Sequence, residues 1–185
     1  GERKKPEGAV IEILGAMDDP ATDVTSIVRA YGIEEEFPKS VIKEAQAIPQ
    51  EITEQPVGKR ADFRDLLTVT IDGEDARDLD DAITLSKKED KYYLGVHIAD
   101  VSHYVKEDSP LDKEALERAT SVYLADRVIP MLPKELSNGI CSLNAGTDRL
   151  AMSCMMTFDV NGNVLDHTIT ESVICVDERM SYTGV

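Results

Sequence analysis

No apolar run in this sequence approaches the roughly 20 residues needed to span a bilayer. The polar opening Gly1-Glu2-Arg3-Lys4-Lys5-Pro6 lacks the apolar core of a signal peptide, so no membrane association is expected. Cysteine is scarce: Cys141, Cys154 and Cys175 are three in number and far apart. That excludes a fully paired disulfide framework and the close pairs of a zinc site, and it suits a reducing cytoplasm. Positive charge is also short. Twenty Lys and Arg against 36 Asp and Glu leave a net charge of −16, whereas nucleic-acid binding usually leaves a basic footprint. Either the chain does not bind nucleic acid, or its carboxylates are matched to metal ions and the basic contacts lie elsewhere. Internal repeats and low-complexity tracts are absent. What remains is an ordinary hydrophobic share of 42% over 185 residues, enough for one core or one core and part of another.

The pattern changes along the chain. Residues 8–15, bounded by glycines, read as a strand. Asp18-Asp19-Pro20 is turn chemistry, after which Asp23 is the expected N-cap of a helix with Ile27 and Val28 on its apolar side, ending near Gly32. A second helix is expected from Pro38 to a stop at Pro49, then a polar linker over 50–60. Beyond it, residues 66–71 read as a strand, and 82–85 and 92–99 as the arms of a hairpin turning at Lys87–Lys91. A helix is expected over 110–125, with Leu111, Ala115, Leu116 and Ala119 at helical spacing, and a short one over 134–137. Residues 150–159 and 164–176 read as a long hairpin across Asn161-Gly162-Asn163. The last residues, Ser181 to Val185, carry no cap, so the chain is expected to be part of a longer one.

Six acids and one base lie in the window Asp72-Gly73-Glu74-Asp75-Ala76-Arg77-Asp78-Leu79-Asp80-Asp81. Like charges so close are unfavourable unless neutralised. A solvated loop could be screened by salt, but this one is held between two apolar β segments, which places its carboxylates at strand ends. Hard divalent cations take oxygen ligands, and Mg²⁺ takes a few carboxylates plus water and substrate phosphate. Metal binding is therefore favoured over a plain acidic loop. An EF-hand is excluded, because the ligand alternation fails and the twelfth position is Ile83. Asp78-Leu79-Asp80 also has the Asp-x-Asp form of aspartate-nucleophile phosphatases, with a loop where those enzymes have a strand end.

Residues 70–82 resemble the catalytic signature of the RNase II/RNase R (RNB-domain) exoribonuclease family. Further stretches resemble the same domain in the same order: 98–102, 121–124, 128–133, 136–144 and Arg179-Met180-Ser181-Tyr182-Thr183. Residues 72–75 lean towards the RNase R branch. The resemblance implies an α+β fold, a mixed sheet with helices on one side. It implies a truncated catalytic domain over 61–185, a helical connector over 33–60, and over 1–32 the C-terminal remnant of an OB-type cold-shock domain. It also implies hydrolytic 3′→5′ degradation of single-stranded RNA to nucleoside 5′-monophosphates in the cytoplasm, with Mg²⁺ as cofactor and Mn²⁺ as a substitute. The family's four active-site aspartates fall on Asp72, Asp78, Asp80 and Asp81. Asp72 and Asp81 would hold the well-occupied metal, Asp80 would serve a second metal or the attacking water, and Asp78 would complete the cluster. Tyr123 matches the tyrosine that packs on the 3′-terminal nucleotide; read from the residues alone it is an aromatic on the core side of a helix end.

Glu74 and Asp75 carry no metal role by the resemblance. His97, Asp100 and His103 invite a metal reading by type, but the family gives them none, so structural roles are expected. Cys141, Met152, Met155 and Met156 read as core filling, and Lys87, Lys88 and Lys91 as a solubilising hairpin tip. The family's catalytic arginine and second clamp aromatic match no position up to 185. The expectation is therefore a fragment of a monomeric enzyme that degrades RNA poorly or not at all by itself and associates through exposed sheet edges. The alternatives are a non-catalytic RNA-binding relative, a phosphohydrolase with Asp78 as nucleophile, and a loop that binds Ca²⁺ for stability.

Overall fold

The computed structural model describes residues 8–52 and 60–185. The strand expected over 8–15 does not form. A strand needs a ladder partner, and Val10, Ile11 and Ile13 stand exposed with none among the described residues. Helix α1, Pro20–Ala30, is capped by Asp19, whose side chain accepts from the Ala21 N–H, rather than by Asp23, which lies in its first turn. Pro20 suits the first helical position, and the helix stops at Tyr31 before Gly32 with φ of +65°. Helix α2, Lys39–Ala47, lies between Pro38 and Pro49 as expected and buries Val41 and Ala45. Most of the expected linker, 53–59, falls outside the described residues.

Among the described residues nine strands follow: β1 Ala61–Asp62, β2 Thr68–Asp72, β3 Asp81–Lys88, β4 Lys91–Ala99, β5 Val122–Tyr123, β6 Val128–Ile129, β7 Asp148–Phe158, β8 Val164–Cys175 and β9 Glu178–Ser181. Helices α3, Val101–Tyr104, and α4, Pro110–Arg118, lie between β4 and β5, and a π-helical turn spans Glu135–Ile140. Several of these differ from expectation. Helix α4 ends seven residues early, because Ala119 has φ of 61° and leaves the right-handed helical region. The chain from Val122 then forms the β5–β6 ribbon, so Tyr123 sits on a strand and not at a helix end. Strand β9 had no signal in the sequence; it exists because it pairs in parallel with β2.

The main sheet is mixed and seven-stranded in the order β1-β8-β7-β4-β3-β2-β9. Strand alternation divides its residues between two faces. One face carries Thr68, Thr70, Ala82, Thr84, His97, Ala99, Ala151, Ser153, Ser172 and Ile174, all buried. Against it pack Val41 and Ala45 of α2, Leu111 of α4, Leu136 and Ile140 of the π turn, and Leu143. Helices α2 and α4 and the π turn thus lie on one side, as expected. Gly95 belongs to this face because a Cβ there would come within 2.8 Å of the His97 ring. The opposite face carries Leu150 and Val173, which are buried, and Val69, Ile83, Leu85, Leu94, Val96, Ile98, Met152, Cys154, Met156 and Ile169, none of them buried. Met152 and Met156 are thus not core filling as expected, since odd and even positions of β7 face opposite sides and only Met155 of the three lies on the covered face; Cys141, beside Ile140, is buried in the core.

Candidate functional site

Strands β2 and β3 are antiparallel neighbours, so the last residue of one, Asp72, and the first of the other, Asp81, meet at the same end of the sheet. The intervening loop is held in place by what it buries. Leu79 is 1% exposed, and in an extended segment its neighbours Asp78 and Asp80 must then turn the other way. Both backbone groups of Leu79 are engaged. The Leu79 N–H donates to Ser142 Oγ at 3.1 Å, the Ser142 hydroxyl donates to the Arg77 carbonyl at 2.8 Å, and the Leu143 N–H donates to the Leu79 carbonyl at 2.9 Å. Ser142 is itself fully buried, and its carbonyl accepts from Arg149 Nε at 2.8 Å. On the other flank, Arg179 Nη2 donates to the carbonyls of Gly73 and Glu74 at 3.1 and 2.7 Å. The Thr183 hydroxyl reaches Glu74 Oε1, and the Tyr182 N–H donates to the Asp72 carbonyl.

Beside this loop lies a cavity of about 960 Å³. Asp72, Asp78 and Asp80 line it together with Tyr123 from β5. Asp81 is not among the lining residues, yet its charge acts on both Asp72 and Asp80. Burial, then the charge of Asp81, pushes the Asp72 carboxyl above the usual range, with Arg179 opposing and Asp78 adding to the rise. Burial also raises Asp80, followed by Asp78, Asp81 and Asp72. The Tyr123 hydroxyl donates to Asp78 Oδ2 at 2.8 Å. That bond, more than desolvation, raises the Tyr123 phenol. Asp75 lines the cavity as well, and Arg77, Lys134 and Asn138 form part of its wall.

The four aspartates thus lie around one end of the sheet. Among the described residues, however, no three His, Cys, Asp or Glu side chains close on a single point. Donor chemistry and burial nevertheless fit a hard divalent cation. Asp72 Oδ2 is buried with no hydrogen-bond partner, a costly condition for a carboxylate oxygen that coordination to a cation would relieve. The other metal candidates by type are spoken for. His97 lies between Thr84 and Ser153 in the sheet. Strand β4 ends at Ala99, and Asp100 caps α3 while accepting from Arg60 at 2.6 Å. His103 follows on α3 and stands 3.4 Å from the same guanidinium.

Ser142, Arg149 and Arg179 are the supporting residues that sequence reading missed. Ser142 and Arg179 lie in stretches that carried the family resemblance, but nothing in their own neighbourhoods shows that they reach a loop 65 and more than 100 positions away.

A family profile described as the RNB domain matches residues 60–185, and one described as a cold shock domain matches residues 1–38. The chain is 52% identical over 180 residues to ribonuclease R 1 of Lactococcus lactis, covering 97% of this chain and 22% of that protein. It is 53% identical over 185 residues to ribonuclease R of Thermotoga maritima, covering 98% and 26%. Among solved structures, Mycoplasma genitalium RNase R in complex with ribose-methylated single-stranded RNA matches with a TM-score of 0.87 at 36% identity, over 92% of this chain and 27% of that one. The chain therefore spans about a quarter of the length of the curated relatives it matches.

Proposed function

Since the chain belongs to the RNB-domain family, we propose that it supplies the acidic centre of an exoribonuclease that shortens single-stranded RNA from its 3′ end and releases nucleoside 5′-monophosphates. The observation that carries this reading is the buried, unpartnered Asp72 Oδ2 at the C-terminal end of β2, with three further aspartates near the same end of the sheet. In this reading Asp72, Asp78, Asp80 and Asp81 hold Mg²⁺, or Mn²⁺ in its place. A divalent cation supplies charge stabilisation at the phosphate and eases deprotonation of a water. The chain's own residues do the rest. Asp80, raised by burial and by its neighbours, takes the side of the attacking water, and the Tyr123 ring receives the terminal base by stacking, which any base allows. Lys134 and Arg77 on the cavity wall offer cationic contacts to phosphate, which addresses the excess of negative charge.

The domain division follows the same reading: a cold-shock remnant over 1–32, a connector over 33–60 and the catalytic portion from 61. We assign the protein to the cytoplasm, which suits the free thiols of Cys141, Cys154 and Cys175. No helix among the described residues is long and apolar enough to cross a membrane. The complete enzyme is taken to act as a monomer, and the 185 residues alone to cleave poorly, because the family's catalytic arginine has no counterpart among them.

The test uses the complete parent polypeptide, 5′-labelled single-stranded RNA, Mg²⁺ or EDTA, and an Asp80→Asn variant. Stepwise 3′ shortening that requires metal and vanishes in the variant is the expected result. RNA binding without cleavage in either protein would instead identify a binding relative.

A further inference from the structure

Tyr123 offers a ring and a hydroxyl, and the fold gives them different surroundings. The residue is 67% exposed, so its ring is not needed to fill the core. The hydroxyl, by contrast, donates to Asp78 Oδ2 at 2.8 Å across 45 positions of sequence. This is the one hydrogen bond made by the Asp78 side chain among the described residues. The contact is set by the scaffold and not by a free side chain. The β5–β6 ribbon is tied on its far side by Arg127 Nε, which donates to Glu35 Oε2 at 2.9 Å. At its base the Met131 N–H donates to Ser121 Oγ at 3.0 Å.

A phenol that donates to a carboxylate fixes the rotamer of that carboxylate. That matters for Asp78, which lines the same cavity as Asp72 and Asp80. With Oδ2 engaged, Oδ1 is the oxygen left to take a cation.

We propose that the Tyr123 hydroxyl is a positioning group for Asp78, holding that carboxylate in the rotamer that turns its free oxygen towards a divalent cation. This role is separate from any contact the ring makes with a nucleobase. It rests on the metal-cluster reading above.

Tyr123→Phe removes the hydroxyl and keeps the ring. The experiment measures Mn²⁺ binding to the 185-residue chain and to this variant by electron paramagnetic resonance of the free ion, with melting temperatures recorded without metal. Partners that orient a ligating group typically contribute ten-fold or more to metal affinity, so the dissociation constant should rise about ten-fold in the variant. The melting temperature should stay unchanged. In an Asp78→Asn background the same substitution should add nothing further. Equal Mn²⁺ affinity in Tyr123→Phe and the unaltered chain would overturn the inference and leave the cluster reading standing. Absence of saturable Mn²⁺ binding by the unaltered chain would overturn that reading and the inference with it.

Discussion

His97 shows how much one side chain can organise. It lies in a buried chain of contacts across five strands: Thr68 Oγ1 with Thr84 Oγ1 at 3.0 Å, Thr84 Oγ1 with Nε2 at 2.9 Å, Nδ1 with Ser153 Oγ at 2.6 Å, and Ser153 Oγ with Ser172 Oγ at 2.6 Å. The Thr68 hydroxyl donates to the Leu66 carbonyl and the Ser172 hydroxyl to the Ala151 carbonyl at 3.2 Å, so both ends of the chain are anchored on backbone oxygens. Burial holds the imidazole below its ordinary value of 6.5. A folded-state value below the unfolded one means that the unfolded chain binds the proton first as pH falls. The contribution of His97 is thus fully present above about pH 6.5 and is lost below it, with a slope of at most about 1.4 kcal/mol per pH unit. His103, also lowered by burial and by Arg60, acts in the same direction. Urea titrations between pH 7 and pH 5 should show a shallower loss of stability for His97→Gln than for the unaltered chain; identical slopes would mean that the ring is protonated in the fold.

At the scale of elements, the β5–β6 ribbon depends on where α4 stops. Ser109 caps the start of α4, accepting from the Asp112 N–H. Its end is the positive φ of Ala119, 61°, a conformation that a residue with a Cβ adopts at a cost. That break turns the chain so that Val122 and Tyr123 pair with Ile129 and Val128 and the tyrosine faces the acidic loop. Glycine at 119 relieves the strain while keeping the turn. Ala119→Gly should therefore leave the fold intact and raise its stability by roughly 0.5–1 kcal/mol, read as an increase in melting temperature. A decrease would show that the Ala119 methyl group contributes more than its backbone costs.

For the whole molecule, the notable feature is a sheet covered along one face and, on the other, buried at Leu150 and Val173 but open across its middle. Helices and the π turn pack on the side of Ala82, Ala99 and Ile174, while Ile98, Met152 and Ile169 on the other side remain 47%, 40% and 65% exposed. An apolar area of this kind marks a contact surface, so association should arise from the face more than from the edge strands β1 and β9. Sedimentation of the 185-residue chain should show a mass that rises with concentration. The pair Met152→Lys and Ile169→Lys should suppress that rise, and a mass of one chain at every concentration would contradict the expectation.

Read alone, the sequence determined what depends on near neighbours along the chain. The β3–β4 and β7–β8 hairpins follow from alternation and from turn residues such as Gly162, with its φ of 81°. Helix α2 follows from the prolines on either side of it. The acid-rich loop is legible because six carboxylates in ten residues are unfavourable in any fold. The tertiary structure decided what depends on register across distant segments: the pairing of β9 with β2, the clamp of Ser142 on Leu79, the hydroxyl of Tyr123 on Asp78, and the covered face of the sheet. Residues 8–15 make the same point in reverse, since a segment with the pattern of a strand forms none without a partner. Backbone groups must be satisfied wherever they are buried, and only the assembled fold specifies which distant groups satisfy them.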